Sequence, residues 1–294
     1  MTSDRMSRND FILLAFFVSM LSAIVLIAFA PVADESTLTM RLWAVAGSPI
    51  SIAVISTFIA AFAGTWGAQL LAERTADRKA LLSEIRTTNA ALGLVFTITN
   101  TYITTKKQQI RTLVKDYEAQ VAARQAHFAG ANANSPFAYR LELQTIAPPF
   151  SPIDELRQML RERITPDGRA MILLTPLVQA IHGFAETAAQ RNAWIAEVKA
   201  MPEKNDVMKS AWFFGLPYSA GRIDDRYPNF INALKLQTDD CIAYSILIGQ
   251  SLVSYGERLT TRYGDNGPRI TKANFDKAAD LLPDMSFYAD WVKN

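Results

Sequence analysis

Residues 11–30 read FILLAFFVSMLSAIVLIAFA, twenty positions without a charge. A helix of that length rises about 30 Å, the thickness of a bilayer's hydrocarbon core. Ala28-Phe29-Ala30 has the small-x-small form of a leader cleavage site. The apolar run nevertheless exceeds the usual leader core of about 7–15 residues, and Pro31 follows the would-be cut. A retained span is therefore the expectation. A second charge-free stretch covers residues 42–72, and Pro49 suits a helix's first turn, where its missing N–H costs nothing. The second span is placed at 49–71, so residues 1–72 form a membrane anchor.

Only about eighteen residues separate the spans, which makes them an antiparallel hairpin. Arg5 and Arg8 precede the first, while Arg74, Arg78, Lys79 and Arg86 follow the second. Arg41 is the lone basic residue between them, beside Asp34 and Glu35. Basic flanks mark the cytoplasmic side, so the expected protein is a two-pass cell (inner) membrane protein with both termini in the cytoplasm. Small residues recur every fourth position at Ala15, Ser19 and Ala23, and again at Ala60, Gly64 and Ala68. That spacing permits close helix approach in lipid and marks an expected oligomer interface.

Beyond residue 72 the pattern is helical. Residues 73–128 hold no proline and one glycine, Gly93. Leu81, Ile85, Leu92, Val95, Ile103, Ile110, Leu113, Tyr117 and Val121 fall mostly on steps of three, four or seven. The spacing predicts a long amphipathic helix over 73–128. Thr88, Thr99 and Lys106 interrupt its seam, so a perfect coiled coil is not expected. The β-branched run at 97–105, TITNTYITT, marks the expected bend. Residues 129–152, with Pro136, Pro148, Pro149 and Pro152, read as a linker. Residues 153–294 then read as a cytoplasmic helical domain. Its helices are expected near 153–164, from Thr175-Pro176 to 201 (or, through a proline kink, from the apolar run Met171–Leu174), from 228 to 263, and from 272 to 292 with Pro283 as a break. Residues 202–227 read as irregular. No run of alternating strands is evident, and the expected fold is all-α: a transmembrane hairpin, a long helix and an antiparallel cytoplasmic bundle.

Composition narrows the chemistry. Thirty basic residues against 28 acidic ones give a net charge of +2, which does not point to nucleic acid. One cysteine, Cys241, and two histidines leave little for a thiolate or imidazole metal site. There is no glycine-rich phosphate loop, GxSxG, HExxH or CxxC. These absences remove the strong arguments for an enzyme without excluding one, and no cofactor or metal is expected.

Four groups of residues remain as candidates. Asp224-Asp225 and Asp239-Asp240 would supply oxygen ligands to a divalent metal, as in a metal-dependent hydrolase. Adjacent carboxylates on a helix point about 100° apart, however, and Arg222 and Arg226 flank the first pair. His182 and Glu186 share a helix face, and His127 falls at a helix end. Residues 211–226, AWFFGLPYSAGRIDDR, are dense in aromatics and shaped by Gly215, Pro217 and Gly221. Trp212, Phe213, Phe214 and Tyr218, with Arg222 and Arg226 for an anion, form the expected ligand or partner surface. The expected function is a membrane-anchored, oligomerising scaffold or sensor that binds a cytoplasmic partner or ligand. A membrane-perturbing effector or channel is the alternative, and the metal-dependent hydrolase a second one.

Overall fold

The computed structural model describes residues 49–130, 135–166, 168–202, 205–264 and 267–292. The chain divides into two units, Met1–Ala76 and Asp77–Asn294. The described part of the first unit is helical from Pro49, with side chains described throughout from residue 60. The expected span at 11–30 lies outside the described residues, as do Ala15, Ser19 and Ala23. Among the described residues no helix is long and apolar enough to cross a membrane. Residues 60–76 are exposed, including Ala60, Gly64 and Ala68.

The second unit is an all-helical bundle. Helix α1 (Pro49–Thr105) leads into a π-helical turn, Lys106–Ile110, and then α2 (Arg111–Ala129). After an extended segment come α3 (Ile153–Glu162), α4 (Gly168–Ala200), α5 (Asp206–Phe214) and α6 (Arg226–Tyr263). Two 3₁₀ turns, Asp276–Leu281 and Met285–Tyr288, precede the short α7 (Ala289–Val292). Contacts fix the directions. Glu84 bonds Tyr255, Thr99 bonds Ser245 and Lys106 bonds Asp239, so α6 runs antiparallel to α1. On the other side Gly183 abuts Gln237 and Trp194 meets Tyr227, so α4 is antiparallel to α6 as well.

Three apolar stripes close the core: Ile85, Leu92 and Val95 from α1, Leu177 and Phe184 from α4, and Leu234, Ile242 and Leu252 from α6, all fully buried. Each such side chain contributes about 1.5–3 kcal/mol relative to exposure. The seam of α6 read from sequence, Ile231, Leu234, Ile242, Ser245, Ile248, Leu252 and Tyr255, is buried at each of these positions. Thr88 and Thr99, which look like interruptions, lie in the buried seam. Their hydroxyls donate to the Glu84 and Val95 carbonyls four residues back, which satisfies them within the helix. Thr97 and Thr105 bond back in the same way, and TITNTYITT is helical throughout. The irregularity comes one residue later, as the π-turn, where Lys106 reaches Asp239 at 2.5 Å.

Helix α4 begins at Gly168 and runs through Pro176, so the extension through the proline is the form adopted. Two boundaries differ from expectation. The segment expected to be irregular, 202–227, contains α5, which ends where Gly215 takes φ 65°. That conformation favours glycine, and a Cβ there would also lie 3.0 Å from Pro228. The expected final helix over 272–292 is absent. Asn274 turns the chain by accepting from Asp276 N–H at 2.7 Å, Asp284 caps Ser286, and Pro283 withholds a donor between them.

Candidate functional site

The segment read as a linker is an extended strap. Residues 137–144 read FAYRLELQ, with Phe137, Tyr139, Leu141 and Leu143 on alternate positions. These are half-buried, and Ala138 and Arg140 between them are exposed, the period of a strand with one covered face; Glu142 is half-buried like its neighbours. Among the described residues no second strand pairs with the strap. Side chains of α4 make the bonds instead. Arg191 donates from Nη1 to the Gln144 carbonyl at 2.7 Å and from Nη2 to the Glu142 carbonyl at 3.2 Å. Asn192 accepts from Ile146 N–H at 3.0 Å and donates to its carbonyl at 2.8 Å, as a neighbouring strand would. Arg191 is 1% exposed. Its charge is met by carbonyl dipoles and by the face of Tyr227, 5.7 Å from the ring centre.

Beneath the strap lies an aromatic cluster. Tyr139 packs at 5.9 Å from Phe213 and 5.7 Å from Phe214, and Phe137 at 6.1 Å from Phe214. Phe213 in turn touches Tyr117 and Tyr227, and Tyr227 lies 4.5 Å from Trp194. Edge-on and tilted pairs of this kind add about 0.5–1.5 kcal/mol each beyond burial. Between the strap and α2 opens a cleft of about 630 Å³, lined by Asp116, Gln120 and Ala123 on one side and by residues 137–140 and Glu142 on the other. A smaller pocket of about 320 Å³ lies between α1 and α6, roofed by Lys272 and Phe275. The Thr99–Ser245 bond is among the groups lining it.

The sequence-based surface is divided by this arrangement. Phe213 is 1% exposed and Trp212 9%, both in the core. Phe214 is half-buried under the strap, and Tyr218 covers Trp212 from the other side at 6.1 Å. Arg226 stacks 5.3 Å over Trp212 and is bound to Asp224 at 2.7 Å and Glu197 at 2.9 Å. Hydrogen bonds to those carboxylates raise its pKa, so its cationic charge is already matched. Arg222 lies on the exposed side of a tight turn closed by Tyr218 N–H on its carbonyl. Trp212, Tyr218 and Arg226 thus come together, Phe213 and Phe214 face the strap, and Arg222 stands apart.

The other candidates separate too. Asp239 pairs with Lys106, whereas Asp240 accepts from Tyr288 at 2.6 Å, so the adjacent carboxylates serve different neighbours. No cluster of three metal-ligating side chains occurs among the described residues. Glu186 accepts from Gln190 at 3.0 Å, and His182 is exposed. His127 sits at the end of α2, 3.0 Å from the Ser135 carbonyl. Cys241 is fully buried against Tyr102, and burial pushes both groups up. Arg191, Asn192 and the strap itself escaped the sequence reading; the seven-residue alternation was the available signal.

Comparison with family models, with curated proteins and with solved structures finds no match.

The tyrosines give the domain a pH dependence of definite sign. Burial pushes Tyr117 up to about 12 from its ordinary 10.0 and raises Tyr102 further. Burial also raises Tyr227, although the Arg191 guanidinium acts the other way. In the unfolded chain these phenols lose protons near pH 10. The folded state then binds more protons than the unfolded one, so stability falls as pH rises. The melting temperature is expected to hold up to about pH 9 and to fall steadily from about pH 10 toward 12. A melting temperature unchanged over that window, followed by circular dichroism, would contradict the buried placement of these rings.

Proposed function

We propose that the chain is a membrane-anchored, self-associating helical scaffold or sensor whose second unit, placed in the cytoplasm, binds a partner protein or ligand. The observation that carries the anchoring is the exposed apolar face of α1. Phe62, Trp66, Leu70 and Leu71 are 41–68% exposed, and no residue from 60 to 76 is covered. Apolar surface on that scale marks contact with lipid or with another protein. The cleft between α2 and the strap supports the binding role, being concave, partly aromatic and edged by Asp116, Arg140 and Glu142.

Two measurements test this reading. A reporter active only outside the cytoplasm, fused after Asn294, is expected to stay silent, and activity there would overturn the topology. Gly64→Ile is expected to weaken self-association in detergent, whereas Leu71→Ile is not. Among the described residues a Cβ at Gly64 meets nothing within 4 Å, so the substitution does not disturb the packing they show. Equal association of the two variants would remove the small-residue face from the proposal.

A further inference from the structure

Among the described residues the strap's backbone hydrogen bonds fall along one edge, where most groups from Arg140 to Ile146 are engaged. Arg140 donates its N–H to Gln120 at 2.7 Å, the Glu142 and Gln144 carbonyls accept from Arg191, and Ile146 engages Asn192 with both its groups. All four residues carry even numbers. In an extended chain the N–H and C=O of one residue point to the same edge, and successive residues alternate between edges. Tyr139, Leu141 and Leu143 therefore turn their backbone groups to the opposite edge. Among the described residues no hydrogen bond reaches those groups. Burying them unpaired would cost about 1–3 kcal/mol apiece, so that edge belongs to solvent or to a partner.

We propose that this edge is an antiparallel strand-pairing surface for a second copy of the same strap. The charges select both the partner and the register. With the two-fold axis at Leu141, open-edge residues face open-edge residues: Leu141 lies opposite the partner's Leu141, and Tyr139 opposite the partner's Leu143. Arg140 then stands opposite the partner's Glu142, and Glu142 opposite the partner's Arg140. Arg140 and Glu142 both line the cleft, together with residues 137–139, and the Glu142 carboxylate accepts from its own strap's Gln144 N–H at 3.1 Å. Moving the axis by one residue, to Arg140 or to Glu142, sets like charges against each other, which is unfavourable in directly opposed pairs. A sequence that forms two ion pairs with its own copy in one register, and repels itself in the adjacent ones, is matched to itself. Strand addition also gives the strap the hydrogen-bonded neighbour its alternation calls for.

This inference deepens the self-associating part of the proposed function, and the two are separable by experiment. Arg140→Glu and Glu142→Arg, each in the full chain in detergent, convert two attractive pairs into two repulsive ones. Either change is expected to weaken dimerisation about tenfold, measured by sedimentation equilibrium. The exchanged double variant, Arg140→Glu with Glu142→Arg, is expected to restore it. A mixture of Arg140→Cys and Glu142→Cys chains should form a mixed disulfide on oxidation, since directly opposed residues lie about 4.5 Å apart between Cα atoms. Arg140→Cys alone should not, its copies being diagonal and beyond bridging distance. Unchanged dimerisation in both single reversals, a double variant as weak as the singles, or no mixed disulfide would each overturn the pairing. Association that falls in Gly64→Ile but not in the strap variants would leave the anchored reading standing and remove this one.

Discussion

Arg191→Ala is expected to destabilise the second unit by about 3–5 kcal/mol and to release the strap, the largest effect of any single charged residue in the fold. The reasoning rests on what the guanidinium alone can do. It is 1% exposed, it donates to two carbonyls of a segment that has no pairing strand among the described residues, and it lies against Tyr227. Truncation leaves the Glu142 and Gln144 carbonyls without partners, at about 1–3 kcal/mol each, and opens a cavity under the strap. Arg191→Lys should recover only part of the loss, because a compact ammonium lacks the planar fork that spans both carbonyls. Arg191→Met separates packing from charge: it keeps the stem and removes the donors. The measurement is chemical denaturation together with limited proteolysis across 137–146. A loss below about 1 kcal/mol in Arg191→Ala, with the strap still protected, would show that the aromatic contacts hold the strap without the α4 tether.

The helical seams were legible because a buried stripe on a long helix repeats many times. Ile85, Leu92, Val95, Ile103, Ile110 and Leu113 lie where the three-four spacing puts them, as do the α6 seam residues from Ile231 to Tyr255. Thr88 and Thr99 misled only because a hydroxyl looks polar in sequence. Within a helix it bonds its own backbone and packs as a small apolar group. The strap was hidden by its surroundings. Its alternation lasts seven residues, and Pro136, Pro148 and Pro149 on either side give the window a linker's composition. Arg191 falls on the three-four spacing of Leu177, Ile181, Phe184, Ala188, Ile195 and Val198, all buried; its charge hid it, because the carbonyls that match that charge lie some 47 residues away in sequence. Helix α5 is nine residues long and is followed at once by Gly215 and Pro217, whose turn signals dominated any average over 202–227. The C-terminal segment shows the converse: residues 272–292 have apolar spacing suited to a helix, yet Asn274, Pro283 and Asp284 impose local turns first.

Trp212→Ala decides what the aromatic segment is for, and its expected outcome is a stability loss of about 3–5 kcal/mol. Trp212 is 9% exposed, enclosed by Tyr218 on one side and by the Arg226 guanidinium on another, with Phe213 beside it almost fully buried. A recognition anchor would instead stand in solvent and change stability by less than about 1 kcal/mol when removed. Arg226 offers no open charge to an anion, being held by Asp224 and Glu197. What the segment presents outward is the turn after α5, where Arg222 is exposed and Ile223 is 58% exposed. Arg222→Ala and Ile223→Ser should therefore leave stability within about 0.5 kcal/mol of the parent, since surface changes away from special features rarely exceed that. Thermal melts of the three variants in the full chain separate the possibilities. If Trp212→Ala melts with the parent, the ring is an anchor and the segment a binding surface as a whole. If it melts far below while Arg222→Ala and Ile223→Ser do not, α5 is a wedge of the core, and recognition by this segment is confined to its turn.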